Sequence, residues 1–259
     1  MTAPVALELS RGVAVLTLNR GAEGNRLGTE MVAALDAATE TLAAAPPRAL
    51  LIRAEGRMFC VGGAINEFAA SGDFPAYLRD ILPVGNRMIR RLAGLPCPVI
   101  SAVQGPVGGA GVALALAADF VLASPAMVLR AGYPALGLSS DFGASWFLTR
   151  LAGPQRATDI LMTNRAVTAD QALAWGLVGA LHPAETLETE ARALLALLAQ
   201  GPTRALGRMK RLIAAAAEQD LAAQAEMEAE LMLASASEPD AAEGIAAFVA
   251  RRPPVFGAG

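Results

Sequence analysis

The chain has 259 residues, of which 54% are hydrophobic and 17% are charged, and its formal net charge is −3 at pH 7. A chain of this length can bury a large core as one long domain, or as one domain with a helical extension. A negative net charge gives no support to nucleic-acid binding, which usually needs a basic face. Cys60 and Cys97 match no metal-ligand spacing. We therefore expect neither a metal nor a nucleic-acid partner.

The mean hydropathy of +0.42 raises the question of a membrane. A spanning helix needs about 20 nearly uncharged apolar residues. The best window, Val112 to Leu129, is interrupted by Asp119, Ser124 and Pro125. The start of the chain lacks the basic segment and apolar core of a signal peptide. These patterns predict a soluble cytoplasmic protein that does not bind a membrane.

The first predicted element is a hairpin over Val5 to Asn19, where apolar and polar residues alternate around one turn. Apolar residues then recur at helical spacing from Met31 to Ala38, with Thr29 as a candidate helix cap. A strand from Ala49 to Arg53 and a helix from Tyr77 to Leu92 follow. Alternating strands and helices indicate an α/β domain.

Two glycine-rich loops each follow an apolar strand. The first runs from Gly56 to Ala64, and the second runs from Gln104 to Gly111 into a helix predicted over Gly109 to Ala117. Such strand–turn–helix junctions leave backbone N–H groups unshielded at the sheet edge, and two of them aimed at one oxygen form an oxyanion hole. Further along, Asp141 supplies a carboxylate. Together these features predict chemistry on a carbonyl compound.

The last part of the chain is predicted to be almost wholly helical. From Ser145 onward the exception is a short strand over Leu177 to Leu181. The stretch from Gly201 to the end is rich in Ala, Leu, Met and Glu and carries no strand signal. We therefore divide the chain into a core, residues 1–200, and a C-terminal helical region, residues 201–259.

Four segments of the chain resemble the crotonase (enoyl-CoA hydratase/isomerase) superfamily. The segment Phe59 to Ile65 resembles the family's F-C-A-G-A-D-L, and Pro98 to Gly111 resembles P-V-I-A-A-V-N-G followed by G-G-G. Leu16 to Leu27 resembles L-N-R-P…N-A-L, and Glu238 to Phe248 resembles D-x-x-E-G-x-x-A-F. The segments follow the family's order over nearly the whole chain. The resemblance implies a crotonase-like spiral of ββα turns, with C-terminal helices that join subunits in a homotrimer or a dimer of trimers.

The resemblance also implies an acyl-CoA thioester as the substrate, and no separate cofactor, because CoA enters with the substrate. In the family, two backbone amides bind the thioester carbonyl and stabilise an enolate. The matching donors here are the amides of Gly63 and Ala110. The family's adenine, pantetheine and nucleotide contacts imply further substrate-binding positions at Val61, Gly63, Ala64, Ile65 and Asn66.

The chain departs from the hydratase pattern at the two catalytic glutamates that hold the water in that branch. The matching residues here are Ala113 and Tyr133. Neither is a carboxylate base, and a tyrosine, with an ordinary pKa of about 10, can at most orient a substrate or donate a hydrogen bond. Two-glutamate hydration is therefore not expected, and Tyr133 is assigned to substrate binding.

Asp141 stands at another position that the family uses. Enoyl-CoA isomerases carry Glu or Asp there, as do ring-epoxide and oxepin-forming isomerases, and it is the nucleophile of chlorobenzoyl-CoA dehalogenase. One carboxylate suffices to move a proton along an enoyl chain. An apolar setting, which Phe142, Trp146 and Phe147 can supply, would raise its pKa towards neutrality. The resemblance therefore favours a double-bond shift with Asp141 as the proton shuttle.

Three alternatives stay open: an enoyl-CoA hydratase with atypical catalytic residues, a catalytically degenerate binding subunit, and a purely structural Asp141 that caps the helix near Gly143. Two others are disfavoured. A dehalogenase needs a histidine after the first loop, and the single histidine, His182, stands far along the chain. A dinucleotide-dependent dehydrogenase needs G-x-G-x-x-G, which the second loop does not match.

Overall fold

A computed structural model describes residues 3–257, so the outer limits of the two predicted regions, residues 1 and 259, lie outside the described residues. Within that range a six-stranded sheet has the order β1-β2-β3-β4-β6-β9. The first two strands pair antiparallel and the other pairs are parallel. The strands of this sheet are β1 (Val5–Ser10), β2 (Val13–Leu18), β3 (Ala49–Ala54), β4 (Val99–Val103), β6 (Phe120–Ala123) and β9 (Ala180–Leu181).

A smaller sheet of three strands has the order β5-β7-β8. Its members are β5 (Val107–Gly108), β7 (Val128–Arg130) and β8 (Ala166–Thr168). Short 3-10 turns cover Gly21–Glu23 and Tyr133–Leu136. The helices are α1 (Thr29–Ala44), α2 (Ile65–Ala70), α3 (Phe74–Ala93), α4 (Ala110–Leu116), α5 (Ala144–Ala152), α6 (Pro154–Thr163), α7 (Ala169–Ala174), α8 (Ala184–Ala199), α9 (Thr203–Ala215), α10 (Leu221–Ala236) and α11 (Pro239–Val249). Among residues 3–257, none of these helices is both long and apolar enough to cross a membrane.

The two faces of the large sheet bury different sets of side chains. Alternate residues of a strand point to opposite faces, so Leu50 and Ile52 of β3 join the larger core cluster while Leu51 packs with residues of α8. Both faces of β3 are therefore covered, which explains its apolar run from Ala49 to Ile52. Because β3 and β4 are parallel neighbours, their C-terminal ends lie side by side, and the loops that follow them leave the sheet at the same edge.

The first half of the chain matches most of the predicted elements. The hairpin is confirmed, with Val5 of β1 opposite Leu18 of β2. The helix predicted from Tyr77 begins earlier, at Phe74, because the Asp73 side chain accepts a hydrogen bond from the Ala76 amide at 2.9 Å and caps it there.

Thr29 is not the cap of α1, and that prediction is wrong. Thr29 is the first residue of the helix, and Gly28 occupies the cap position. The Glu67 carboxylate of α2 instead accepts a hydrogen bond from the Thr29 amide at 2.9 Å, and a side chain at position 28 would collide with that carboxylate. A carboxylate from a neighbouring helix thus satisfies the helix end, where the backbone dipoles favour negative charge.

Two differences lie in the part predicted to be helical. The strand β8 was not predicted; it pairs antiparallel with β7, with Val167 opposite Leu129. The strand predicted over Leu177 to Leu181 is reduced to β9, because the residues before it form the turn after α7.

The C-terminal helical region is attached to the core through α9. The Lys210 ammonium lies 2.9 Å from Oδ2 of Asp119, and Gly207 lies so close to Pro96 that a Cβ at position 207 would be 2.4 Å from the Pro96 carbonyl oxygen. The other two helices leave large apolar side chains exposed, which are Leu221, Met232, Leu233, Ile245, Phe248 and Val249. A role of this region in assembly stays a prediction.

Candidate active site

The two glycine-rich loops lie directly against each other. The Phe59 amide donates to the Pro106 carbonyl at 3.1 Å, and the Gly108 amide donates to the Cys60 carbonyl at 2.9 Å. Gly62 has a φ of +92°, and a Cβ there would lie 2.8 Å from the Gly108 carbonyl oxygen. Only glycine allows this backbone conformation together with this approach of the two chains. Loops about forty-five residues apart in sequence are thus brought together as the sequence predicted.

The backbone amides of Gly63 and Ala110 lie next to this contact. Gly109, with a φ of +48°, stands between them, and a Cβ built on it would be 4.0 Å from the Gly63 nitrogen. Ala110 is the first residue of α4, where a helix leaves its N–H groups without intrahelical partners. Among residues 3–257 neither amide donates a hydrogen bond to another protein group. The two donors are therefore free for a ligand oxygen.

A cavity of about 360 Å³ opens in front of these amides. It contains six of the predicted site residues, namely Val61, Gly63, Ile65, Ala110, Tyr133 and Asp141. The acyl pocket is expected in the helices around residues 74–89, and Leu78 and Leu82 of that range line the cavity. Sequence reasoning missed three further apolar wall residues, which are Phe68, Leu136 and Leu138. A larger cleft of about 650 Å³ lies between the core and the C-terminal helices and is lined by neither loop, so the smaller cavity is the candidate site.

Two predicted binding residues do not line this cavity. Ala64 is fully buried, and its amide donates to the Leu27 carbonyl at 3.4 Å. Asn66 is exposed on α2 and is absent from the cavity wall. A contact of either residue with the nucleotide part of CoA stays a prediction. Ala113, at the first position that a hydratase glutamate would take, is fully buried in the core.

Asp141 and Tyr133 form a hydrogen-bonded pair in the cavity wall. The Tyr133 hydroxyl donates to Oδ1 of Asp141 at 2.7 Å. Burial raises the pKa of Asp141, and the hydrogen bond from Tyr133 opposes that rise. Burial, and then the Asp141 charge, raise the pKa of the Tyr133 hydroxyl far above its usual range. Tyr133 is therefore a neutral donor to a carboxylate whose ionised form is disfavoured by its surroundings.

The structure does not support the helix-cap alternative for the Asp141 side chain. Gly143 occupies the cap position of α5, and no side chain caps that end. Asp141 contributes only its backbone carbonyl, which accepts the Ala144 amide at 2.9 Å. The carboxylate is directed to Tyr133 and the cavity instead.

The surroundings of Asp141 differ in one respect from the predicted apolar setting. Phe142 and Phe147 are buried, but Trp146 is 48% exposed and lies under the Arg150 guanidinium at 4.4 Å. Trp146 therefore does not supply the apolar wall, which comes instead from side chains of α2, α3 and the segment before Asp141.

Cys60 is a buried residue of the first loop. It is fully buried, and burial raises the pKa of its thiol to about 12. A thiol in that state is an inert packing group and not a nucleophile.

Comparisons with known proteins show which family and which relatives the chain resembles. Residues 8–259 match the family model described as enoyl-CoA hydratase/isomerase. The chain is 35% identical over 251 residues to the 1,2-epoxyphenylacetyl-CoA isomerase of Escherichia coli (strain K12), covering 96% of both chains. It is 31% identical over 258 residues to the trans-2-decenoyl-[acyl-carrier-protein] isomerase of Streptococcus mutans serotype c, covering 97% of both.

Solved structures lead to the same fold. The crystal structure of an enoyl-CoA hydratase from Polaromonas sp. JS666 superimposes with a TM-score of 0.92 at 31% identity, covering 98% of this chain and 99% of that chain. The predicted α/β fold of the crotonase type is therefore confirmed. The names of these relatives include both isomerases and a hydratase.

Proposed function

The chain belongs to the enoyl-CoA hydratase/isomerase family of the crotonase superfamily, and on this premise we propose that it shifts a double bond within an enoyl-CoA. One observation carries the proposal. Of the described residues that line the cavity, Asp141 alone has a carboxylate, and it lines the same cavity as the free amides of Gly63 and Ala110. A single carboxylate beside an oxyanion hole is the minimum that a proton shuttle needs.

The proposed reaction starts when the thioester carbonyl accepts hydrogen bonds from the Gly63 and Ala110 amides. The Asp141 carboxylate removes a proton from C2 of a 3-enoyl-CoA, and the C–H electron pair moves towards the carbonyl oxygen to form a dienolate. The protonated Asp141 then returns the proton to C4, which leaves the double bond between C2 and C3. One oxyanion-hole donor typically contributes about 3–4 kcal/mol to such a transition state.

The setting of Asp141 suits both halves of this transfer. A base that must take and then return a proton works best when its pKa approaches the working pH. Burial raises the pKa of Asp141 in that direction. The apolar side chains of Phe68, Leu78 and Leu82 line the same cavity, which favours an apolar acyl chain and disfavours bulk water.

Hydration by the two-glutamate route lacks both of its glutamates. Ala113 has no functional group, and the Tyr133 hydroxyl is already a donor to Asp141. No further carboxylate lines the described cavity to hold and split a water molecule. This arrangement supports isomerisation over hydration.

A comparison of two reactions on one enzyme preparation tests the proposal. With 3-hexenoyl-CoA we expect formation of 2-hexenoyl-CoA, measured by the absorbance of the conjugated thioester, and with crotonyl-CoA we expect hydration near background. Asp141→Asn should lose isomerisation by about 10²-fold or more while still binding CoA esters. Asp170→Asn, at an exposed position of α7 outside the cavity, is the matched control and should keep full activity.

Two outcomes would contradict the proposal. Robust hydration that survives Asp141→Asn would show that another group activates water. Binding of CoA esters without turnover of any enoyl-CoA would indicate the catalytically degenerate subunit.

A further inference from the structure

Tyr133 and Asp141, which both line the cavity, are joined by a side-chain hydrogen bond. Its length of 2.7 Å is that of a strong hydrogen bond to a carboxylate. The tyrosine side is well fixed, because Tyr133 is only 7% exposed and begins a 3-10 turn bounded by Gly132 and Gly137, both with positive φ. The Gly132 amide donates to the Asn164 side chain at 2.7 Å, which anchors the start of that turn.

Asp141 is held in place by the residue that follows it. Phe142, the next residue, has a φ of +50° and is 4% exposed. Its ring lies against Gly85 of α3, where a Cβ would be only 2.0 Å from the ring. Asp141 is therefore held between a hydrogen bond to one oxygen and a buried ring one residue away.

This arrangement makes the two carboxylate oxygens different. Oδ1 accepts the Tyr133 hydroxyl, whereas Tyr133 does not hold Oδ2. Once Oδ2 carries a proton, rotation of the carboxyl about its last bond would turn its O–H towards the donating Tyr133 hydroxyl. This would break the hydrogen bond inside a buried wall, where an unpaired polar group is costly. The hydrogen bond therefore selects one orientation of the protonated carboxyl.

We propose that Tyr133 is a positioning residue for the proton transfer: it holds Oδ1 of Asp141, so that Oδ2 alone takes the proton from C2 and returns it to C4. The inference rests on the proposed isomerase function and adds a role for Tyr133 beyond substrate contact. A proton kept on one fixed oxygen returns to the same substrate molecule, and exchange with water is restricted.

Tyr133→Phe tests the inference because it removes one oxygen and keeps the ring. We expect kcat to fall about tenfold or more from the loss of positioning, with KM changed by less than about twofold. Since the hydrogen bond favours the ionised carboxylate, its loss raises the pKa of Asp141, and the acidic limb of kcat/KM should move up by about one pH unit. In heavy water, deuterium uptake into product should increase, because the carboxylate can rotate and exchange its proton.

The chain offers a matched control, since Tyr77 is the only other tyrosine. Its hydroxyl donates to Oε2 of Glu67 at 3.0 Å, and it does not line the cavity. Tyr77→Phe deletes the same atom elsewhere and should leave kcat, the acidic limb and deuterium uptake unchanged.

The Tyr77→Phe background also permits a change in the opposite direction. Grown with 3-fluorotyrosine, that variant carries the fluorinated ring at position 133 alone, and fluorine makes the hydroxyl a stronger donor. The acidic limb should then move to lower pH, whereas a purely structural role of Tyr133 predicts no such shift. This variant also covers the case in which Tyr133→Phe does not fold.

A titration without turnover separates this inference from the proposed function. The Asp141 carboxyl carbon is assigned by its absence from the NMR spectrum of Asp141→Asn, and its titration is compared between the unchanged chain and Tyr133→Phe. If no enoyl-CoA is isomerised but the pKa of Asp141 is higher in Tyr133→Phe than in the unchanged chain, the proposed function fails. The effect of Tyr133 on Asp141 then still stands. If isomerisation occurs and neither the titration, the acidic limb nor deuterium uptake changes, the inference is overturned.

Discussion

The ring of Phe142 occupies the space beside Gly85 that any side chain at that position would need. A Cβ on Gly85 would lie 2.0 Å from Cζ of Phe142 and 2.2 Å from Cε1. Phe142 is buried and follows Asp141 directly. Its contact with the middle of α3 therefore restricts where the proposed catalytic carboxylate can lie. A helix that supplies cavity wall residues thereby also sets the position of the base.

Gly85→Ala should destabilise the protein and reduce isomerisation. An alanine inside a helix normally stabilises by about 1 kcal/mol relative to glycine, whereas overpacking a buried site costs about 1–3 kcal/mol. Gly85→Ala should therefore lower the free energy of unfolding, although the same change at an open helix position would raise it. Gly244→Ala in α11 is the control, because its Cβ would meet Phe256 at an ordinary 3.5 Å and should raise the melting temperature. Thermal unfolding and kcat measure both effects, and a stabilised, fully active Gly85→Ala would contradict the packing argument.

Ala110→Pro should abolish turnover without unfolding the protein. Proline is well tolerated at the first position of a helix, and Ala110 is the first residue of α4. The change removes one N–H donor, at a cost of about 10²–10³-fold in kcat. Ala184→Pro makes the same change at the exposed first residue of α8 and should leave activity intact. Circular dichroism checks the fold, and a folded, fully active Ala110→Pro would remove the oxyanion-hole assignment.

Asp141→Asn should be more stable than the unchanged protein at neutral pH. Burial raises the pKa of Asp141 in the folded state above its unfolded value of about 3.9, so the folded state binds more protons and its stability falls as pH rises through this window. Asparagine cannot ionise and still accepts the Tyr133 hydroxyl. We expect the free energy of unfolding to rise by about 1 kcal/mol at pH 7, because the variant no longer buries a charged carboxylate. This gain should disappear below about pH 4, where the carboxyl is protonated in both states. Urea unfolding at both pH values measures it, and a gain that persists at low pH would assign it to packing instead.

The loops could be predicted from the sequence because their surroundings are regular. The strands β3 and β4 are mostly apolar and buried, and the glycines that follow them mark the turns where the two backbones meet. Neighbouring positions in sequence nevertheless take different places. Ile65 lines the cavity, whereas Ala64 points into the core and Asn66 lies on the outer side of α2, because a helix start rotates successive side chains apart.

The contacts that hold Asp141 could not be predicted from local patterns. The hydrogen bond to Tyr133 depends on how the left-handed residues Gly132 and Gly137 fold the intervening segment back on itself. A glycine within a predicted helix, such as Gly85, signals a close approach but not what approaches it. Only the assembled fold brings the Phe142 ring to that face of α3.

Lys210→Met should loosen the C-terminal region from the core. The Lys210 ammonium and the Asp119 carboxylate, at 2.9 Å, are 14% and 25% exposed, and methionine keeps the apolar stem while leaving the carboxylate unpaired. Breaking a buried pair costs about 3–5 kcal/mol, so we expect about 2–3 kcal/mol at neutral pH for this partly exposed one. Burial already raises the pKa of Asp119 and loss of Lys210 raises it further, so the deficit should shrink as acid protonates the carboxyl.

The control for this change is the exposed pair of Arg192 and Glu188 on α8, whose side chains are 47% and 48% exposed. Arg192→Met should cost at most about 0.5 kcal/mol. Urea unfolding measures both variants. If both variants lose the same small amount of unfolding free energy, the Lys210–Asp119 pair is screened by solvent and does not stabilise the packing of α9 on the core.

The exposed apolar side chains of α10 and α11 lead to a prediction about assembly. Phe248 and Leu221 are each 84% exposed, and Val249 is 77% exposed, which is more than a lone surface helix usually leaves uncovered. We expect a homotrimer or a dimer of trimers, and light scattering should give three or six times the chain mass of 26.5 kDa. Phe248→Glu should lower that mass, since a charge cannot be buried unpaired at an interface. Glu226→Gln on α10, a change at an exposed polar position, should leave it unchanged. A stable, active monomer of the unchanged chain would contradict the prediction, because the apolar surface would then be tolerated in water.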